Sequence, residues 1–135
     1  MSRAVFPGTF DPLTAGHLDV VERARHLFDD LVVLVAVNAA KNPAREGEAR
    51  AAAVRAALPA GWGNVSVSAW RGLTADFCHR HNVDVIVRGV RNPGDVRHEQ
   101  ELAAMNQSLG IPTLLIPTRP ALATVSSTAA RAFPA

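Results

Sequence analysis

The run LVVLVAVN, Leu31 to Asn38, restricts the folds open to this chain more than any other segment. Its apolar stretch is far short of the roughly 18 residues a membrane-spanning helix needs. It also lacks the alternation of a strand with one wet face. Continuous, valine-rich runs of this length suit a strand buried on both faces, as in a parallel sheet covered by helices.

Four other runs read as strands. Ala4-Val5-Phe6 is closed by Pro7-Gly8, NVSVSAW (Asn64 to Trp70) alternates, DVIVRGV runs from Asp84 to Val90, and IPTLLIP from Ile111 to Pro117. Helical spacing falls between them. His17 to Phe28 carries Leu18, Val21, Ala24 and Phe28 on one face. Glu48 to Leu58 is alanine-rich, Leu73 to His81 is short, and Asp95 to Leu109 is stopped by Gly110. Ser126 to Phe133 completes the series, and Asn42 to Glu48 reads as the most loop-like stretch. Strand and helix alternate throughout. This predicts an α/β fold with three layers, α/β/α, around a doubly wound five-stranded parallel sheet, in one domain over residues 1–135. In such sheets ligands bind beyond the carboxyl ends of the strands, where strand order reverses.

Composition narrows the function classes. Cys78 is the only cysteine, so no intramolecular disulfide forms. Pro7 and Gly8 interrupt the apolar start before it reaches signal-peptide length. A cytoplasmic protein without a membrane partner is expected. A net charge of +2 gives no sign of a nucleic-acid partner. Of the 14 basic residues only Lys41 is a lysine. A GC-rich genome accounts for the arginine bias, and it makes the surviving lysine conspicuous.

The chain has no G-x-x-x-x-G-K-[ST] and no G-x-G-x-x-G after its first strand. Zinc-ligand spacing is absent, and His79, His81, Asp84 and Glu101 read as structural. The segment PGTFDPLTAGH, Pro7 to His17, instead puts Thr14-Ala15-Gly16-His17 where a helix begins. Free N–H groups and the positive dipole end there favour an anion, and Gly16 lets it approach the backbone. On position alone two readings stand: Thr14 merely caps the helix and His17 is exposed, or His17 aims an N–H at a bound anion. Lys41 follows the second strand, Arg88 to Arg91 close the fourth, and Val125 to Arg131 (VSSTAAR) follow the fifth. The Ser126-Ser127-Thr128 run offers hydroxyls beside a helix start, with Arg131 one turn on. Together these features describe a site for a ligand with several phosphates.

PGTFDPLTAGH resembles the first motif of the bacterial phosphopantetheine adenylyltransferases, within the T/H-x-G-H nucleotidylyltransferase superfamily with its Rossmann-like fold. RGVRNPGDVRHEQELAAMN, Arg88 to Asn106, resembles the same family's central segment. VSSTAAR resembles the I-S-[ST]-[ST]-x-x-[RK] motif, and Lys41-Asn42-Pro43 a K-x-P element. The resemblance covers residues 4 to about 131. It implies transfer of an adenylyl group from ATP to 4′-phosphopantetheine with Mg²⁺, giving dephospho-coenzyme A and pyrophosphate, the penultimate step of coenzyme A synthesis. It implies that His17 stabilises the transition state at the α-phosphate, that Thr9 contacts both substrates and that Phe10 lies beside the nucleotide. Lys41 and Arg88 would hold the phosphate of phosphopantetheine, with Thr74 along its arm. Gly89, Val90, Arg91, Glu99, Ser126, Ser127 and Thr128 would meet ATP.

The chain departs from the family's pattern at Arg97, where an acidic residue is usual, and at His98, where tyrosine is common. It is C-terminally short relative to the family, whose members assemble as homohexamers. A related nucleotidylyltransferase with another phosphate acceptor, and a non-catalytic nucleotide-binding paralogue, remain as alternatives.

Overall fold

The computed structural model describes residues 2–37 and 43–119, with side chains from residue 46 onward in the second stretch. Among the described residues five strands alternate with four helices: β1 (Arg3–Gly8), α1 (Ala15–Arg25), β2 (Asp30–Val37), α2 (Pro43–Ala57), β3 (Val65–Arg71), α3 (Thr74–Arg80), β4 (Val85–Val90), α4 (Pro93–Ser108) and β5 (Thr113–Pro117). The sheet is parallel throughout, in the order β3-β2-β1-β4-β5. The expected α/β architecture and doubly wound parallel sheet are therefore present. The helix expected at Ser126–Phe133 lies outside the described residues.

Side-chain alternation along the strands divides the core in two. Leu31, Val33 and Val35 pack with Val20, Val21 and Ala24 of α1 and with Ala51 and Val54 of α2. Val32 and Leu34 face the other way, onto Ala75, Phe77 and Cys78 of α3. Arg88 shares the face of Ile86 and reaches Glu99, which places α4 on the α3 side. Leu31 to Val35 are at most 9% exposed, so burying these five contributes on the order of 10 kcal/mol before chain entropy is subtracted. That double burial is why the run carries no polar alternation.

β1 continues through Pro7 and Gly8, past the expected stop at Phe6. It pairs with β2 along its whole length, but with β4 only at Ala4 and Val5. The two central strands part beyond that point. Pro7 turns its carbonyl toward β4, and its missing N–H falls on the same side, where no ladder has to be completed. The gap is the strand-order reversal at which a site was expected.

The buried face of α1 holds Asp19, Val20, Val21 and Ala24, while Leu18 is only half-buried. The face is rotated from the expected one because Val20 fits a notch at Gly89. A Cβ on Gly89 would lie 2.9 Å from Val20 Cγ2. α2 starts at Pro43, five residues before the expected Glu48. Proline suits a first helical turn, and the glycine inside the helix has a packing reason: a Cβ at Gly47 would lie 2.4 Å from Val37 Cγ2. α4 likewise starts at Pro93 rather than Asp95, capped by Asn92. Gly89→Ala should cost about 1–3 kcal/mol through overpacking against Val20. Chemical denaturation would check this, and an unchanged midpoint would show that α1 yields freely.

Candidate functional site

A cleft of about 560 Å³ opens where β1 and β4 part. The ends of those strands supply Pro7, Gly8, Arg88 and Gly89 to its wall, the turn after β1 supplies Thr9, Phe10 and Asp11, and α1 supplies Gly16 and His17. The β4–α4 side adds Arg91, Asp95, His98 and Glu99.

The turn between β1 and α1 is held by its own side chains. Thr14, buried, is the N-cap of α1, and its hydroxyl accepts from the His17 N–H at 3.2 Å. The Thr14 N–H in return donates to His17 Nδ1 at 3.0 Å. This is a capping box with histidine in the place usually held by Glu or Gln. Thr14 therefore does cap the helix, as one reading of the turn has it, and His17 is not exposed but part of the cleft wall. Because Nδ1 accepts, the ring proton of the neutral imidazole sits on Nε2. Burial, reinforced by the charges of Arg88 and Arg91, lowers the His17 pKa from 6.5 to about 4. His17 is thus a neutral Nε2–H donor under ordinary conditions.

That pKa fixes a sign. The unfolded chain takes up a proton near 6.5 and the folded one near 4. Stability from the neutral ring is complete above 6.5 and is lost as pH falls toward 4. A ¹⁵N NMR titration should show His17 protonated at Nε2 only at neutral pH, with its midpoint near 4. A midpoint at the ordinary 6.5, or a proton on Nδ1, would contradict the geometry.

Phe10 is 4% exposed and adopts a positive φ of 50°. Bulky residues rarely occupy that region, at a cost of about 1–3 kcal/mol. Its ring lies edge-on to Phe6 at 5.3 Å and to His17 at 5.0 Å, and it fills the space above Gly8, where a Cβ would come within 2.9 Å. Phe10 thus wedges the turn and buttresses the imidazole, while Thr9 is exposed in the cleft.

Arg88 is clamped. Its Nε and Nη2 donate to the two carboxylate oxygens of Glu99, each at 2.9 Å, and its Nη1 donates to the Pro7 carbonyl. Glu99 is 5% exposed. The pair bridges the gap between β1 and β4 that the ladder leaves open. Arg91 donates from its backbone and from Nε to Asp95 Oδ2, at 3.0 and 2.9 Å. Burial alone would raise the Asp95 pKa. The Arg91 hydrogen bonds and charge, with the charge of His98, hold it below the usual carboxylate range.

Val90 lies beside a second hollow with Arg91 and Arg97, and Thr74 begins α3 beyond the carboxyl end of β3; neither lines the cleft. Lys41, Ser126, Ser127, Thr128 and Arg131 lie outside the described residues. His79 meets the Leu109 carbonyl at 2.8 Å, His81 caps α3, and the Asp84 carboxylate accepts from the Arg3 N–H. These three are structural, as expected.

Sequence reasoning missed Asp19 and Arg50. Asp19 is buried on α1, with Arg119 Nε 2.7 Å from its Oδ1 and Arg23 Nε 3.9 Å from its Oδ2. Oδ1 meets Arg119 off the hydrogen-bonding direction, so this contact is ionic. It ties the chain leaving β5 to α1. The available signal was an acidic residue beside the apolar face of α1, with arginine one turn on. Among the described residues no group of three or more His, Cys, Asp or Glu could hold a metal ion, and no helix is long and apolar enough to cross a membrane.

Residues 5–133 match the family model described as cytidylyltransferase-like. The phosphopantetheine adenylyltransferase of Bifidobacterium longum (strain DJO10A) is 46% identical over 94% of this chain and 78% of its own. That of Streptomyces coelicolor is 44% identical over 94% of this chain and 80% of its own. Two solved structures share the fold. The NadR protein in complex with NAD and AMP-PNP has a TM-score of 0.62 at 20% identity, over 98% of this chain and 42% of that one. The lipopolysaccharide core biosynthesis protein from Thermoplasma volcanium GSS1 has a TM-score of 0.58 at 24% identity, over 88% and 97%.

Proposed function

Because this chain belongs to the phosphopantetheine adenylyltransferase family, we propose that it transfers the adenylyl group of ATP to 4′-phosphopantetheine. A phosphate oxygen of phosphopantetheine attacks the α-phosphorus. The bond from that phosphorus to the bridging oxygen breaks, and pyrophosphate leaves with the electron pair. The products are dephospho-coenzyme A and pyrophosphate, the penultimate step toward coenzyme A.

The observation that carries this reading is the neutral His17 donor beside two braced arginines, in a cleft at the reversal of strand order. The nucleophile is already an anion, so no general base is needed. What the reaction asks for is alignment of two anions and stabilisation of charge as it builds on the α-phosphate and the leaving group. In this reading His17 Nε2–H donates to an α-phosphate oxygen. Arg88, with Lys41, holds the acceptor phosphate, and the Glu99 clamp fixes the plane of its guanidinium. Arg91, Gly89 and Val90, with Ser126, Ser127 and Thr128, take the nucleotide. Thr9 meets both substrates. Thr74, which does not line the cleft, would meet the pantetheine arm only beyond it.

Mg²⁺ belongs to the proposal as an ion carried by ATP. Such ions keep water and phosphate ligands and need few protein groups, and the cleft fits that: Glu99 and Asp95 are committed to arginines. Bound there, the ion would offset phosphate charge. A cytoplasmic location and a homohexamer complete the reading. Sedimentation at the mass of a single chain would remove the hexamer.

Pyrophosphate release with ATP and a panel of phosphate acceptors tests the reaction. Release should require phosphopantetheine. Release with nicotinamide mononucleotide and none with phosphopantetheine would assign the chain another acceptor.

A further inference from the structure

Arg50 lies on α2, outside the cleft, yet its side chain reaches two strand ends. Nη1 donates to the Thr9 carbonyl at 2.8 Å and to the Ala36 carbonyl at 3.1 Å. Thr9 follows β1 directly, and Ala36 is near the end of β2. The side chain is 13% exposed, and Glu46 Oε1 stands 3.7 Å from its Nε. Two features make this reach possible and useful. Gly47, one turn before Arg50, lets α2 settle against Val37 at the end of β2. The carbonyl held is that of the residue preceding Phe10, whose positive φ needs external support.

From this geometry we infer that Arg50 is a positioning residue for the acceptor half of the site, locking the Thr9–Phe10 turn to the end of β2. The inference rests on the reading above, in which Thr9 and Lys41 meet phosphopantetheine. Lys41 follows β2 in sequence, so Arg50 joins two of the segments that carry the acceptor's contacts, Arg88 on β4 being the third. Its bonds go to Thr9 and Ala36 and to none of Gly89, Val90 and Arg91, so the nucleotide keeps contacts that do not depend on Arg50. Its loss should therefore divide the two substrates. A charge-assisted donor shared by two carbonyls cannot be replaced by packing alone.

The test compares Arg50→Met, which keeps the bulk of the stem, with Arg50→Lys, Arg50→Ala and Lys41→Ala in steady-state assays of the full chain. Arg50→Met should raise the KM for phosphopantetheine roughly tenfold and leave that for ATP within about twofold. Arg50→Lys should recover part of the loss, and added methylguanidinium should recover part of it in Arg50→Ala. An equal rise in both KM values overturns the inference, as do unchanged KM values with only a smaller active fraction. If Arg50→Met does not fold, Arg50→Lys and the methylguanidinium rescue decide, and failure of a selective effect in both overturns it. Lys41→Ala separates the placement of the acceptor from the role of Arg50. An ordinary KM for phosphopantetheine in that variant overturns the placement of the acceptor. A raised KM there, with no selective effect at Arg50, overturns the role of Arg50 alone.

Discussion

His17→Ala should lower kcat by roughly 10²–10³-fold, the usual loss for one donor to a developing oxyanion, while KM for either substrate changes little. The imidazole is neutral and held in one tautomer by the Thr14 N–H, so its donor needs no reorganisation as charge develops. The same substitution removes the acceptor for the Thr14 N–H, and that cap should cost about 0.5–2 kcal/mol. The two effects separate in His17→Gln. Glutamine is a usual partner in a capping box and can accept from Thr14 through Oε1, but its flexible amide does not fix an N–H donor as the imidazole ring does. Thermal stability should return toward that of the parent while kcat stays low. Recovery of kcat together with stability would mean that His17 matters only as a cap.

The Arg88–Glu99 clamp should show an asymmetry. Arg88→Met leaves the Glu99 carboxylate, 7% exposed at its side chain, without its bidentate partner. Stranding a buried charge costs about 3 kcal/mol or more. Glu99→Gln leaves a guanidinium that is 28% exposed and still bonded to the Pro7 carbonyl, so the loss should be nearer about 1 kcal/mol. In activity, Arg88→Met should lose roughly 10²-fold in kcat/KM through the acceptor's phosphate. Glu99→Gln should lose about tenfold, because the guanidinium is less firmly aimed. Equal stability losses in urea denaturation would show that the carboxylate is better solvated than its burial indicates. A double variant whose losses simply add would show that the two residues act separately.

The strand order of types was legible because each strand's environment is written into its own residues. A doubly buried strand is apolar throughout, and an edge strand such as β3 alternates. The points that escaped depend on partners distant in sequence. Pro7 stops a strand in most settings, but here it lies where β1 has already left β4. Gly47 weakens a helix until Val37 is seen beneath it. Val20 displaces Leu18 from the buried face only because Gly89 leaves room. The candidate site shows the same division. Thr14, Gly16 and His17 announce a helix start in consecutive residues, so their neighbourhood could be read. That Arg88 meets Glu99 depends on which faces β4 and α4 turn to each other, and the tautomer of His17 depends on one hydrogen bond. Nothing in the local sequence gives either.

Everything proposed for the cleft depends on transfer of adenylyl from ATP to phosphopantetheine. The most direct measurement supplies ATP labelled at the α-phosphate, with phosphopantetheine and Mg²⁺, and follows the label by chromatography and mass spectrometry. The label should move into dephospho-coenzyme A, one pyrophosphate appearing for each. ATP that binds but keeps its label at every acceptor concentration would contradict it, and would make the chain a nucleotide-binding protein without this activity.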